Sequence, residues 1–262
     1  MDRRTRASIL FVLAAGILMG AAGCTSYVTP RRGADLKTME GDLYRPSSPA
    51  VQSPSSGTEP TAATVSDEPK PTAQFPVNLA IVRIQEPGYF SKTARAWGEG
   101  RFSVMTVRDI ETEADFDRIL DQADIKQITT LNRLLLPTYF QSYKDLQRAA
   151  DQLHADMLMI YTIDTAFYDR NSSTPLTVIT LGFSPTVQIK VVTTISGILI
   201  DTKTGYVYGA MEVTDRKEKS TSALSTKDAC DALRVQTEQA GFDKFLDEFE
   251  TTWRAVRREY NP

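Results

Sequence analysis

The sequence predicts an α+β fold, a mostly antiparallel or mixed sheet packed with helices and preceded by a disordered tether. Three observations predict it. Strand-like and helix-like hydrophobic periods follow one another between residues 77 and 260 in the order strand, strand, helix, helix, strand, hairpins, helix. Residues 75–262 number 188, enough to bury one sizeable core, and they hold no internal repeat and no second domain boundary. The stretch from Arg45 to Gln74 is rich in Pro, Ser and Thr and has no hydrophobic period at all, so it cannot bury enough apolar surface to offset the cost of ordering.

The first strand is Val77–Gln85, a β-rich run that begins just after Pro76; Phe102–Val107 alternates with period two and supplies the second. Thr112 is placed to cap a helix in which Phe116, Ile119, Leu120 and Ala123 recur at helical spacing, with Glu113 and Asp115 favourable in its first turn. Ser142 is placed to cap Tyr143–Leu153, where Tyr143, Leu146, Ala150 and Leu153 form one stripe. That helix runs through His154-Ala155-Asp156 into Met157–Ile163, a nearly unbroken apolar run that reads as a central strand.

Two successive hairpins come next. Gly182-Phe-Ser-Pro185 separates Leu176–Leu181 from Val187–Ile200, and Asp201-Thr-Lys-Thr-Gly205 separates Ile198–Ile200 from Tyr206–Val213; Gly, Pro and Asp are turn residues at both places. The tail reads as helical from Ser225 or Thr226 to Ala240, interrupted by Gly241. Beyond it Phe242, Phe245, Leu246, Phe249, Trp253, Val256 and Tyr260 hold an i, i+3/i+4 register. Such a stripe belongs to the core if it packs on the sheet and is a partner surface if it does not.

The amino terminus reads as an export signal. Arg3, Arg4 and Arg6 precede an uncharged run from Ala7 to Gly23 that ends in small residues and is short for a bilayer span of about 20 residues. Ala21-Ala22-Gly23-Cys24 resembles the lipobox of bacterial lipoproteins. The resemblance implies cleavage between Gly23 and Cys24 and a diacylglycerol on the Cys24 sulfur. An ordinary signal peptidase would also accept Ala21-x-Gly23, and a retained membrane helix is the third reading. Thr25 follows the cysteine in place of the aspartate that retains many lipoproteins at the inner membrane, which implies the outer membrane, periplasmic face. The expected organisation is thus a signal peptide over 1–23, a lipidated linker over 24–74 and a single periplasmic domain over 75–262. As a coil of 51 residues the linker would hold the domain roughly 40 Å from the membrane.

Other motifs carry a wider resemblance. Leu79-Ala-Ile-Val82, Ala149–Ile160 and Ile198-Leu-Ile-Asp-Thr-Lys-Thr-Gly205 resemble a group of periplasmic lipoprotein domains that includes the curli secretion channel lipoprotein, the activator lipoproteins of penicillin-binding proteins and the amino-terminal domain of the Tol translocation protein. In that group a helix ending in Ala-Asp feeds a strand, and a later strand ends in an Asp-x-x-Thr-Gly turn. Thr129–Pro137, Ala155–Asp164 and Ile200–Tyr208 look more closely like the rhombotarget lipoproteins. Some of those carry a carboxy-terminal Gly-Gly motif, apolar helix and basic residues; Trp253–Pro262 has no such apolar helix.

Little in the sequence points to catalysis, a metal or a cofactor. The one histidine, His154, lies at a helix-to-strand junction and offers itself for capping, not for a triad. Asp115, Asp117, Asp121 and Asp124 cluster without the glycine of a calcium loop, and Gly98-Glu-Gly100 lacks the context of a phosphate cradle. Asp164 and Asp169 form a carboxylate pair of the kind expected by chance among 33 acidic residues. Residues 1–23 carry three Arg and one Asp, so a chain starting at Cys24 has a formal charge of −5 instead of −3, and no electrostatic footprint for nucleic acid. Cys230 would then be the remaining thiol, either buried on a helix or bridging to another chain.

The expectation is a non-catalytic envelope lipoprotein that binds another envelope protein or its own copies, with Tyr206 and Tyr208 as contact residues beside the second hairpin turn. The rival expectation is an oligomeric secretion or transport subunit, in which Leu176–Leu181 and Val187–Ile195 form barrel strands.

Overall fold

A computed structural model describes residues 32–36, 69–170, 186–222 and 226–261. In chain order the elements are β1 (Val77–Gln85), β2 (Ala96–Trp97), β3 (Glu99–Gly100), β4 (Ser103–Met105), α1 (Glu113–Leu120), β5 (Ile125–Thr130), a 3-10 turn (Arg133–Leu135), β6 (Tyr139–Phe140), α2 (Lys144–Gln152), β7 (Met157–Arg170), β8 (Thr186–Asp201), β9 (Val207–Ser222) and α3 (Thr226–Tyr260). The fold is α+β. A seven-stranded mixed sheet runs β2-β4-β1-β7-β8-β9, with β5 pairing the first half of β1.

β1 is parallel to β7 and β5 and antiparallel to β4, whereas β7, β8 and β9 are mutually antiparallel. Parallel neighbours need crossovers, and α2 supplies the one into β7. Strands covered on both faces read as unbroken apolar runs, which is why β1 and the first half of β7 look as they do in sequence. Residues 79, 81, 157, 159, 161 and 163 face α1 and α3. Residues 80, 82, 84, 158 and 160 face α2 and the loops around Phe102 and Phe140.

α1 begins where predicted. Thr112 accepts from the Asp115 amide while the Asp115 carboxylate accepts from the Thr112 amide, a reciprocal cap contributing about 1 kcal/mol. It ends at Leu120, itself exposed, so Ala123 lies beyond it. α2 begins one residue later than Ser142 would require. The Asp145 carboxylate takes the Gln141 and Ser142 amides, a task the longer, ionised side chain performs from inside the first turn. The predicted stripe holds, with Tyr143, Leu146 and Ala150 buried. His154 closes the helix at φ 56°, its carbonyl accepting from Asn78.

Four expectations are corrected. β7 does not stop at Ile163 but continues to Arg170, because β8 pairs with it residue for residue from Met157↔Asp201 to Arg170↔Gln188. The partner of β8 on that side is therefore β7, and Leu176–Leu181 with its turn at Gly182–Pro185 lies outside the described residues. Gly241 does not interrupt the tail. α3 is continuous for 35 residues, and a Cβ at 241 would meet Ile195 Cδ1 at 3.4 Å, an ordinary contact, so the glycine sits within a helix held on β8 by its neighbours. The short strands β2, β3, β5 and β6 carry too few residues, or too little alternation, to be read in advance. Lastly, residues 32–36 and 69–74, assigned to the linker, include parts that touch the domain.

The aromatic stripe of α3 is core: Phe242, Phe245, Leu246, Phe249, Trp253 and Val256 are all buried against the sheet. No described helix is long and apolar enough to cross a membrane.

Candidate functional site

The second hairpin turn is built around one carboxylate. Asp201 ends β8 fully buried, and Gly205 at φ 74° lets the chain reverse. The Asp201 side chain accepts from the Lys203 and Thr204 amides within the turn, and from the Tyr208 hydroxyl at 2.9 Å. It also accepts from the Thr72 amide at 2.7 Å, the Thr72 hydroxyl and the Ala73 amide at 3.0 Å. Burial alone would raise this carboxyl; the hydrogen bonds from Thr204, Thr72, Tyr208 and Lys203 outweigh it and hold the group below its usual range. The turn thus fastens the chain as it enters the domain, and Thr204 adds a bond to the Lys70 carbonyl.

Tyr206 and Tyr208 do share a face, but it is the face turned to α3. Their rings meet each other and Tyr260 edge-on, with centroids 5.0–6.0 Å apart. Tyr208 is buried and Tyr206, partly exposed, bonds the Tyr260 hydroxyl at 2.7 Å. Their contacts close the domain around the carboxy-terminal end of α3.

A second arrangement was not legible in the sequence. Between the sheet and α3 lies a buried ionic layer. Arg83 of β1 donates to Asp109 and Glu111, and the Tyr161 hydroxyl donates to the same Glu111 oxygen at 2.6 Å. Arg234 of α3, fully buried, donates to Glu238 at 2.6 Å and to Asp109 and Asp231. Thr165 and Thr193 stand beneath, with Thr165 donating to the other Glu238 oxygen. Asp109 is the joint between the two halves. Burial opposes its ionisation, but Arg83 and Arg234 draw it below its usual value. Glu238 is raised, since burial there outweighs Arg234, Arg83 and Thr165. Tyr89, over whose ring the Arg83 guanidinium stands, is pushed up to about 12, chiefly by burial. The advance signal was the i, i+4 pair Arg234 and Glu238 in a helix whose neighbouring turns bury Cys230, Leu233 and Phe242. The layer is sealed, so it serves cohesion and orientation: it fixes the amino-terminal half of α3 over the sheet.

The third feature is a surface. β7 pairs with β1 only as far as Tyr161, so from Thr162 to Arg170 it continues, among the described residues, as a ribbon with β8 and β9, about 30 Å long at the usual rise. Alternation divides its faces. Ile189, Val191, Thr193 and Ile195 are buried beneath α3, while Tyr168, Gln188, Thr214, Arg216 and Glu218 point outward and are exposed. On that outward side a concavity of about 630 Å³ is lined by Tyr168, Gln188, Lys190, Val192, Thr214, Arg216 and Glu218. It combines an aromatic ring, one aliphatic group and charges of both signs.

The remaining residues singled out in sequence do not converge. His154 is exposed at its helix end, and Asp164 is exposed in mid-β7, not at a strand end. Asp115 caps α1 from within its first turn, Asp121 is its C-cap, and Asp124 at φ 68° pairs with Arg257. Gly98 and Gly100, both at positive φ, pass against the Phe140 ring and backbone. Cys230 is a buried thiol among Ile189, Val191 and Leu233. No group of three or more potential metal ligands occurs among the described residues. Gly23 and Cys24 lie outside the described residues. No known family model matches this chain, and no curated protein matches it.

Proposed function

We propose that the chain is a lipid-anchored lipoprotein domain of the outer membrane, periplasmic face, of the rhombotarget type, acting as a non-catalytic module that binds another envelope protein. The observation that carries the reading is the open ribbon: its outward face presents Tyr168, Lys190, Val192, Arg216 and Glu218 around a concavity. It extends away from the end of the domain where Asp201 fastens residues 72 and 73. A mixed aromatic and charged surface on a chain that carries an anchoring motif suits a tethered binding module. The Ala21-Ala22-Gly23-Cys24 motif supports the lipid anchor.

The contact residues are the ribbon's outward ones in preference to Tyr206 and Tyr208, whose rings are occupied at the α3 terminus. The rival reading, a secretion subunit whose β8 residues line a barrel, gains nothing from this arrangement. Ile189, Val191 and Ile195 are committed to α3 and are not available to face lipid.

The test is the native mass of the detergent-extracted protein before and after crosslinking in intact cells. A discrete heterologous band that disappears with Tyr168→Ala plus Arg216→Glu supports the module. A large homogeneous ring, or a monomer unchanged by crosslinking, sinks it.

A further inference from the structure

The ionic layer beneath α3 carries polar atoms that its own contacts do not use. Arg83 donates to Asp109 and Glu111 through Nη1 alone; its Nε and Nη2 have no partner among the described residues. Those two nitrogens are the edge with which a guanidinium makes paired hydrogen bonds. Both ends of the Gln85 amide, the Tyr89 hydroxyl and Glu111 Oε2 are unpartnered in the same sense. Gln85 and Tyr89 are 0 % and 1 % exposed, and the Arg83 and Glu111 side chains 2 % and 0 %, so bulk solvent reaches none of them.

The fold brings these four side chains together. Val77, Leu79 and Ile81 face α1 and α3, and alternation puts Arg83 and Gln85 on that same face of β1. Just after β1 the chain turns at Glu86, whose carbonyl accepts from the Tyr89 amide, and the Arg83 guanidinium stands over the Tyr89 ring, 5.8 Å from its centre. Glu111, just ahead of α1, bonds Arg83 and Tyr161 through Oε1 and keeps Oε2 spare. The loop bearing Tyr89 is closed over the layer by Ser91 and Thr93, whose hydroxyls donate to Asp109.

A buried polar atom left unpaired loses its hydration and gains nothing in return, which is why folded proteins rarely hold one. Here Arg83 Nε and Nη2, Gln85 Nε2 and Oε1, the Tyr89 oxygen and Glu111 Oε2 occur in one layer. Their chemistry defines the guest. The Arg83 nitrogens, the amide nitrogen and the hydroxyl donate, whereas Gln85 Oε1 and Glu111 Oε2 accept, so the guest must do both. Charge narrows it further. Arg83 and Arg234 already stand among Asp109, Glu111, Asp231 and Glu238, so an added anion would be uncompensated and a cation would meet the Arg83 edge. The small neutral molecule that both donates and accepts is water. At about three hydrogen bonds to each internal water, these atoms call for about two.

We infer that Arg83, Gln85, Tyr89 and Glu111 form an internal hydration site whose ordered water molecules join β1 to the loop that covers the ionic layer. The site is independent of the ribbon and of the proposed lipid anchor.

Crystals of the full chain that diffract well enough to show solvent should carry water within hydrogen-bonding distance of the Arg83 Nε and Nη2 edge and of the Tyr89 oxygen. In solution, the Gln85 side-chain amide protons of the detergent-extracted protein should cross-relax with water with the sign of a long-held molecule. Gln85→Leu, which keeps most of the volume and removes the amide, should lower the urea midpoint, because the waters lose two of their partners; replacing a dry, unpaired amide would raise it. Tyr89→Phe should lower the midpoint in the parent and have less effect after Gln85→Leu, since both act through the same waters. A dry cluster, a bound anion in place of water, or a higher midpoint for Gln85→Leu overturns the site. Fully additive losses overturn the joint between strand and loop.

Discussion

Gly197 of β8 carries no side chain where Phe245 of α3 lies: a Cβ on Gly197 would stand 2.6 Å from Phe245 Cζ and 2.9 Å from Cε2. The ring is fully buried and stacks near Tyr161 and Phe242, so it has no free direction in which to yield. Gly197→Ala should destabilise the domain by about 1–3 kcal/mol through overpacking. Phe245→Ala should cost about 3–5 kcal/mol. In a Phe245→Leu background the Gly197→Ala penalty should shrink, a coupling that urea unfolding of the double-mutant cycle would measure. Equal penalties in both backgrounds would mean that the helix is not held by this contact.

Asp201 joins the hairpin turn to the entering chain, so its removal should act at both places. Asp201→Ala strands the amides of residues 72, 73, 203 and 204, and a loss of about 2–4 kcal/mol is expected. Hydrogen exchange should quicken at residues 72 and 73 as well as in the turn. Faster exchange in the turn alone would separate the two roles.

The acid limb of stability has a predictable sign. Asp109 and Asp201 are both depressed in the folded state, so their contribution is complete above the ordinary aspartate pKa of about 3.9 and is lost as pH falls through their folded values. Glu238 is raised and works the other way. Its contribution is present below the ordinary glutamate pKa of about 4.3 and is lost as pH rises through the folded value. The deficit of Glu238→Gln relative to the parent should therefore shrink between pH 4 and higher pH, whereas that of Asp201→Asn should grow. Chemical unfolding across pH 3–7 would read both slopes.

Arg234 is buried with three carboxylates around it. Arg234→Met should cost about 3–5 kcal/mol, because it leaves Glu238 and Asp109 charged without their shared partner. The paired change Arg234→Met and Glu238→Met should recover part of the loss. No recovery would place the cost in packing.

Cys24→Ser should move the protein from the membrane pellet to the soluble periplasmic fraction, and mass spectrometry of the parent's first peptide should carry the acyl chains on residue 24. An unmodified amino terminus beginning at Cys24 would favour plain secretion.

Much of the fold was legible because the signals were local. The unbroken run of β1, the Thr112 cap and the i, i+3/i+4 aromatics of α3 each depend on neighbours within one or two turns. The misreadings have a common cause as well. Asp164 and Thr165 made Ile163 look like a strand end, since successive polar residues, one on each face, interrupt the apolar run. Pairing to β8 supplied what composition did not. Gly241 looked like a break because glycine disfavours helix by about 1 kcal/mol, a cost that the buried Phe242, Phe245, Leu246 and Phe249 beyond it outweigh.

By itself the sequence determined the α+β class, the ends of β1, the turn at Asp201–Gly205 and the apolar face of α3. The tertiary structure decided what those parts face. Tyr206 and Tyr208 turned inward because α3 ends over them, Arg83 and Arg234 met through Asp109 from distant places in the chain, and no described residue covers the outward face of the ribbon. The reason is that periodicity records which face of an element is buried, while only the assembled sheet and helix determine what lies against it.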